Sequence, residues 1–139
     1  LSEVEDMKHQ IKLKKKDNDY AVLEKIDLLV NTYANGLCEA VNTGDFRPLK
    51  GSLYEGSSIY NTQKSYIANM AKQDIYEYVD DVEVNSVEWT SETTCIISTT
   101  EIYTIYEGTN RRTQSFRYKY DVVETSDKQL FLTSIKKSF

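Results

Sequence analysis

Leu53-Tyr54-Glu55-Gly56-Ser57-Ser58-Ile59-Tyr60 is the stretch on which the reading of this sequence turns. Before it, apolar residues recur at helical spacing; beyond about residue 73 they alternate. Gly56 permits a backbone bend that residues with a Cβ resist. Ser57 or Ser58 offers a hydroxyl to the orphan amides of a following helix. The segment therefore predicts a hinge and a helix start, dividing the chain into a helical part and a strand-rich part.

Upstream of the hinge, Leu23, Ile26, Val30, Tyr33, Leu37 and Val41 fall at three- and four-residue steps, which predicts a long amphipathic helix from Tyr20 to Asn42. Asp19 is its expected N-cap, and Gly44 suits a left-handed C-terminal position. Gly36 lowers helix propensity but allows a neighbour to approach closely. Asp45 then caps a short second helix or turn, with Pro48 in its first turn and Phe46, Leu49 and Leu53 as its apolar residues. Residues 1–19 are dense in charges of both signs and read as a solvated linker. Val4, Met7 and Ile11 keep a helical spacing within it, so a frayed helix is the other reading.

Downstream, Ile59, Gln63, Tyr66, Ile67 and Met70 mark a third helix ending near Lys72. Four strands are expected after it: Ile75 to Trp89, Thr94 to Tyr106, Arg112 to Glu124 and Gln129 to Lys136. The first changes phase near Asn85-Ser86, which predicts a bulge or bend. Glu107-Gly108-Thr109-Asn110 and Thr125-Ser126-Asp127-Lys128 read as tight turns. Three helices segregated to one face of a curved four-stranded antiparallel sheet make an α+β domain, residues 20–139, with the sheet wrapped as a cone around the first helix.

Composition narrows the function. A chain of 139 residues holds one good core, and its formal charge of −5 disfavours nucleic-acid binding, which needs a basic face. The two cysteines, Cys38 and Cys95, form no CxxC and have no histidine pair nearby, so no metal site or other cofactor is expected. Their spacing leaves open whether they pair, with separate burial the favoured reading. No transmembrane run occurs in the sequence. The first residue is Leu rather than Met, which fits a mature form or a piece of a longer protein.

Eleven tyrosines form the most distinctive set. Tyr33, Tyr54, Tyr60 and Tyr66 lie on or beside the helices; Tyr103, Tyr118 and Tyr120 lie on strands. Core packing accounts for most of them. The functional reading is an aromatic groove with polar tips, with Tyr33, Tyr54, Tyr60 and Tyr118 as ligand contacts. Ser57 and Ser58 join that set, because amides at a helix N-terminus can hold an anion, although capping is their simpler role. Glu101 and Asp121 either face a cavity or lie on a solvated sheet face, the second being favoured. The only histidine, His9, lies in the charged N-terminal stretch, where it cannot be the buried base of a pocket. Arg111, Arg112, Arg117 and Lys119 read as a solvated, aggregation-resistant strand edge, with docking of an acidic wall polymer as the minority reading.

Three features together resemble a known family. They are Leu37-Cys38-Glu39-Ala40-Val41-Asn42-Thr43-Gly44-Asp45-Phe46, the hinge with Gln63-Lys64 after it, and the tyrosine-rich closing hairpins. From about Tyr20 to Phe139 the chain resembles the C-terminal domain of TcaA-type (teicoplanin-resistance-associated) membrane proteins of Gram-positive bacteria. The resemblance implies a nuclear transport factor 2-like cone, held outside the cell by a membrane helix upstream of this chain. It implies association with the cell envelope and with glycopeptide antibiotic response, and it supplies no catalytic residue. The expected role is that of a non-enzymatic, extracytoplasmic binding or sensing domain, with a cell-wall polymer or a peptide as partner. The alternatives are a small-molecule enzyme using the cone pocket and a structural module that forms homodimers through its sheet.

Overall fold

Asn42 and the hinge solve the same problem at opposite edges of the sheet, that of unpaired strand backbone. The computed structural model describes residues 2–138 and has the element order α1 (Glu3–Asp17), α2 (Tyr20–Thr43), α3 (Arg47–Lys50), α4 (Ser58–Met70), β1 (Ile75–Trp89), β2 (Thr94–Glu107), β3 (Asn110–Glu124), β4 (Leu130–Lys137). The strands pair antiparallel in the order β1-β2-β3-β4. At the β1 edge the Asn42 side chain takes the place of a neighbouring strand. Its Nδ2 donates to Glu77 O and its Oδ1 accepts from Glu77 N, both at 2.8 Å. At the β4 edge, Tyr54 N donates to Leu132 O and Leu132 N donates to Ser52 O, each at 2.9 Å. Covering an edge in this way removes a template for further strand addition.

The hinge bends and caps as its sequence predicts. Gly56 has φ +83°, and Ser57 is the N-cap of α4, its hydroxyl accepting from Tyr60 N. Ser58 adds a third link to β4, donating from Oγ to Thr133 O at 3.1 Å.

The long helix α2 is bounded by Asp19, which accepts from Ala21 N and Val22 N, and by Gly44 at φ 72°. It buries Ile26, Leu29, Val30, Tyr33 and Val41 against the concave sheet face. Gly36 is buried where α3 crosses α2: an added Cβ would lie 2.6 Å from the Pro48 carbonyl oxygen. The N-cap of α3 is Phe46 rather than the expected Asp45, which stands one residue earlier, accepts from Arg47 N at 3.0 Å and pairs with the Arg47 guanidinium.

Sheet curvature has an identifiable cause. In β1 the inward-facing residues are Ile75, Glu77 and Val79, then Val82 and Val84, then Val87 and Trp89. Each break in this alternation coincides with a register shift, between Val79 and Asp81 and between Val84 and Ser86. A bulge adds local twist and bends the strand, and two in one edge strand curl the sheet around α2. The second matches the phase change near Asn85-Ser86; the first places Tyr76 and Tyr78 on the outer face, where both are exposed.

The N-terminal stretch differs from the expected linker. Glu3–Asp17 is a helix, capped by Ser2, with acidic residues in its first turn and lysines in its last, an order that complements the helix dipole. It is fastened to the cone by its last turns. Leu13 is buried, and the Lys16 ammonium lies 3.8 Å from the Trp89 ring centroid, 3.0 Å from Glu124 Oε1 and 2.6 Å from Glu92 O. Asp17 accepts from Trp89 N at 2.6 Å. Val4, Met7 and Ile11, whose spacing suggested a helix, are exposed. The described residues thus hold four helices rather than the expected three.

Cys38 and Cys95 are free, buried thiols in separate clusters. Burial pushes each up to about 12, so neither is a ready thiolate.

Candidate functional site

Strand alternation sends Thr99, Glu101 and Tyr103 of β2 to the concave face, between the apolar Ile97 and Ile105. Glu101 is 1% exposed. Its carboxylate receives three hydroxyls: Thr99 Oγ1 and Tyr120 OH donate to Oε2, each at 2.6 Å, and Tyr103 OH donates to Oε1 at 2.5 Å. The favoured expectation of a solvated sheet face holds for Asp121, which is exposed, and fails for Glu101. The cause is parity: Asp121 pairs with Ile96 on the outer face, whereas Glu101 shares its face with Ile97 and Tyr103.

Above this cluster the cone is not filled. A cavity of about 400 Å³ extends from Glu101 towards the ends of β1 and β4. Tyr33 enters from α2, its ring edge-on to Tyr120 at 5.6 Å between centroids, and its hydroxyl accepts from Gln63 Nε2 of α4 at 2.7 Å. Phe116 and Tyr118 form a stacked wall, 5.8 Å apart and 13° from parallel. Near the mouth, Tyr66 OH donates to Glu77 Oε1 at 3.0 Å, and Lys136 and Lys137 contribute to the rim.

The cavity's protons are held firmly. Burial, with the nearby negative charge of Glu101, pushes Tyr103 and Tyr118 upward, Tyr118 to about 12. Burial likewise raises Tyr33, Tyr66 and Tyr120. These phenols are neutral hydroxyls at any physiological pH. Glu77 is also raised by burial, opposed by the Tyr66 hydroxyl and by the charge of Arg112. The arrangement is an aromatic chamber with one carboxylate at its floor, a second carboxyl near its mouth, and neutral hydroxyls between.

The residues chosen from sequence fall into three groups. Tyr33 and Tyr118 line this cavity. Tyr54 and Tyr60 do not reach it. Tyr54 is 46% exposed and sits edge-on to Phe131, while Tyr60 is buried against Phe46 at 5.1 Å. Both border a separate shallow depression beside Lys50, Leu53 and Glu55. Ser57 and Ser58 are occupied with capping and with the β4 edge. Glu101, Gln63 and Glu77 also line the chamber without having been chosen, and Thr99 supports Glu101 from beside it. For Glu101 and Thr99 the signal was weak, because Ile96 and Ile102 make the outer face of β2 almost as apolar as the inner one. His9, on α1, is exposed and takes no part. Arg111, Arg112, Arg117 and Lys119 are exposed, with Arg112 paired to Glu107.

A family model described as TcaA protein NTF2-like domain matches residues 22–136. The chain belongs to that family. TcaA-type domains are thus the setting for the cone and its cavity. A relative from Bacillus subtilis (strain 168), named "Uncharacterized membrane protein YvbJ", is 26% identical over 113 residues. The match covers 81% of this chain but only 18% of that protein, so the chain spans less than a fifth of the relative's length. No described helix of this TcaA-type domain is long and apolar enough to cross a membrane. Among solved structures, Rv3472 of Mycobacterium tuberculosis, titled a function unknown protein, superposes with a TM-score of 0.61. It is 14% identical, and the match covers 88% of this chain and 73% of that one. A putative scytalone dehydratase from Novosphingobium aromaticivorans superposes at 0.55, with 11% identity and 84% of each chain covered. At such identities these structures establish the NTF2-like cone fold alone.

Proposed function

We propose that this TcaA-type domain is a non-enzymatic binding or sensing module of a membrane-anchored envelope protein, exposed outside the cytoplasm, and that the cone cavity receives its ligand. The observation that carries the reading is the unfilled chamber over Glu101. Its polar groups converge on one volume, and its walls are aromatic. Such a combination of apolar lining and a few placed polar groups is typical of ligand pockets. The family setting supports the envelope location, and a wall-polymer fragment or a peptide is the ligand class that fits it. A role in the response to glycopeptide antibiotics would follow from occupancy of this site.

Binding is favoured over catalysis because the chamber lacks an activated pair. The phenols are held neutral, neither thiol lines the chamber, and His9 lies on α1 outside it. The raised Glu77, together with a structural relative titled a putative dehydratase, supports an enzyme as the second reading.

The test is NMR on the domain with a soluble digest of cell wall and a peptide library. Shifts in the Tyr33, Tyr118 and Tyr120 resonances are expected, and they should weaken in Leu37→Trp, whose larger side chain narrows the chamber. Shifts confined to Tyr54 and Tyr60, or none, would overturn the cavity reading; ligand turnover would favour the enzyme.

A further inference from the structure

The floor of the cavity holds a buried carboxyl group that none of the described ion pairs includes. Glu101 is buried, and its three hydrogen-bond donors are neutral hydroxyls. A buried carboxylate is ordinarily paired with a cation, because hydroxyl donors satisfy its lone pairs without neutralising its charge. Three donors also leave room at the two oxygens, which together accept about four hydrogen bonds.

The walls have the same electrostatic sense. Tyr33, Tyr103, Phe116, Tyr118 and Tyr120 place aromatic rings around the chamber, and ring faces attract cations. One of these walls already faces a cation, with Lys137 Nζ 5.8 Å from the centroid of Phe116. Glu77 adds a second carboxyl near the mouth. Lys136 and Lys137 of the rim, and Arg112, whose charge acts on Glu77, are the opposing charges, and all three residues are exposed.

We propose that the cone cavity is a site for a small organic ammonium ion, with Glu101 as its counter-charge and the surrounding rings as its cage. This rests on the reading of the cavity as the ligand site, and it names the chemical class of the ligand. The ammonium group belongs at the floor, where charge and rings coincide. The rest of the molecule extends towards Glu77 and the rim, so an amine-bearing peptide or wall fragment enters head first.

The experiment compares choline and propylammonium with the neutral tert-butyl isostere of choline and with the corresponding tert-butyl carboxylate. Affinity is measured by calorimetry, and position by NMR shifts of the cavity tyrosines. Both cations are expected to bind in the cavity at least about tenfold more tightly than the neutral isostere. Glu101→Gln should remove most of that preference, and Lys137→Met should leave it intact or increase it. The comparison on the parent domain needs no variant, so a poorly folding Glu101→Gln does not disable the test. Equal binding of the neutral isostere, preference for the carboxylate, or cavity shifts produced by the wall digest but by neither cation would overturn this inference while leaving the cavity as a ligand site. No cavity shift with any probe or with the digest would remove both.

Discussion

Replacing Gly36 by Ala pits two opposite effects of known size against each other. On an open helix face, Gly to Ala stabilises by about 1 kcal/mol, because Ala loses less backbone freedom on folding. At Gly36 the new methyl would lie 2.6 Å from Pro48 O, 3.2 Å from Pro48 C and 3.4 Å from Leu49 Cα. Comfortable contacts to a carbon are nearer about 3.5 Å, so α3 must retreat by roughly 0.5–1 Å. All three atoms are backbone, so no side chain can rotate away to relieve the clash. Retreat is resisted because Leu49, on the same short helix, is fully buried. Overpacking of this kind costs about 1–3 kcal/mol, which exceeds the propensity gain. Because the clash is with backbone, the upper part of that range applies, and the expected net loss is about 1–2 kcal/mol, a fall in melting temperature of roughly 3–7 °C for 139 residues. Thermal melts followed by circular dichroism measure it directly. Gly51→Ala is the control: its φ is −70° and an added Cβ meets nothing within 4 Å, so its melting point should match or slightly exceed the parent's. A Gly36→Ala protein melting at or above the parent would refute the argument that close α2–α3 approach requires this glycine.

Three further perturbations probe the other devices. Gly56→Val should destabilise by about 2 kcal/mol through backbone strain alone, since its φ is +83° and nothing lies within 4 Å of an added Cβ; Gly56→Asn should recover most of the loss, and a valine variant as stable as the parent would contradict the hinge. Lys16→Met should cost about 2 kcal/mol by leaving Glu124 buried without its cation, and should expose α1 to limited proteolysis; protease resistance equal to the parent's would show that α1 is held otherwise. For Glu77, the raised native value means that the folded state binds its proton more tightly than the unfolded state. Stability therefore falls as pH rises from the ordinary glutamate value through the raised one. Glu77→Gln removes that slope, so its advantage over the parent should be present near pH 7 and vanish by about pH 4. An advantage independent of pH would mean that burial of the charge is not its source.

Sequence reading reached the helices, the strands and their turns because those depend on local chemistry. Asp19 and Gly44 bound α2 by groups within one turn of each end, and Ser57 caps α4 in the same way. The expected phase change at Asn85-Ser86 is also local, because a bulge displaces the alternation of its own strand. The break at Asp80 was hidden because Tyr76 and Tyr78 look like inward residues, yet they are the exposed ones. Helix α1 was harder still. Its apolar spacing lies on the solvent side, and its attachment runs through Lys16 and Asp17, charged residues whose partners are Trp89, Glu92 and Glu124.

The candidate site divides along the same line. A tyrosine-rich set with polar tips was visible in composition, and Tyr33 and Tyr118 do meet in the cavity. Tyr54 and Tyr60 border a separate depression rather than the cavity, because the hinge that joins them in sequence is stitched to the β4 edge of the sheet at Leu132. By itself the sequence determined an α+β chain with a glycine hinge and a sheet bent by a bulge, since propensity, capping and alternation act over a few residues. Only the tertiary structure decided that Glu101 points inward to three hydroxyls from two strands. Side-chain parity on a strand with two apolar faces is settled by what packs against it, and the helix that does so, α2, lies far away in sequence.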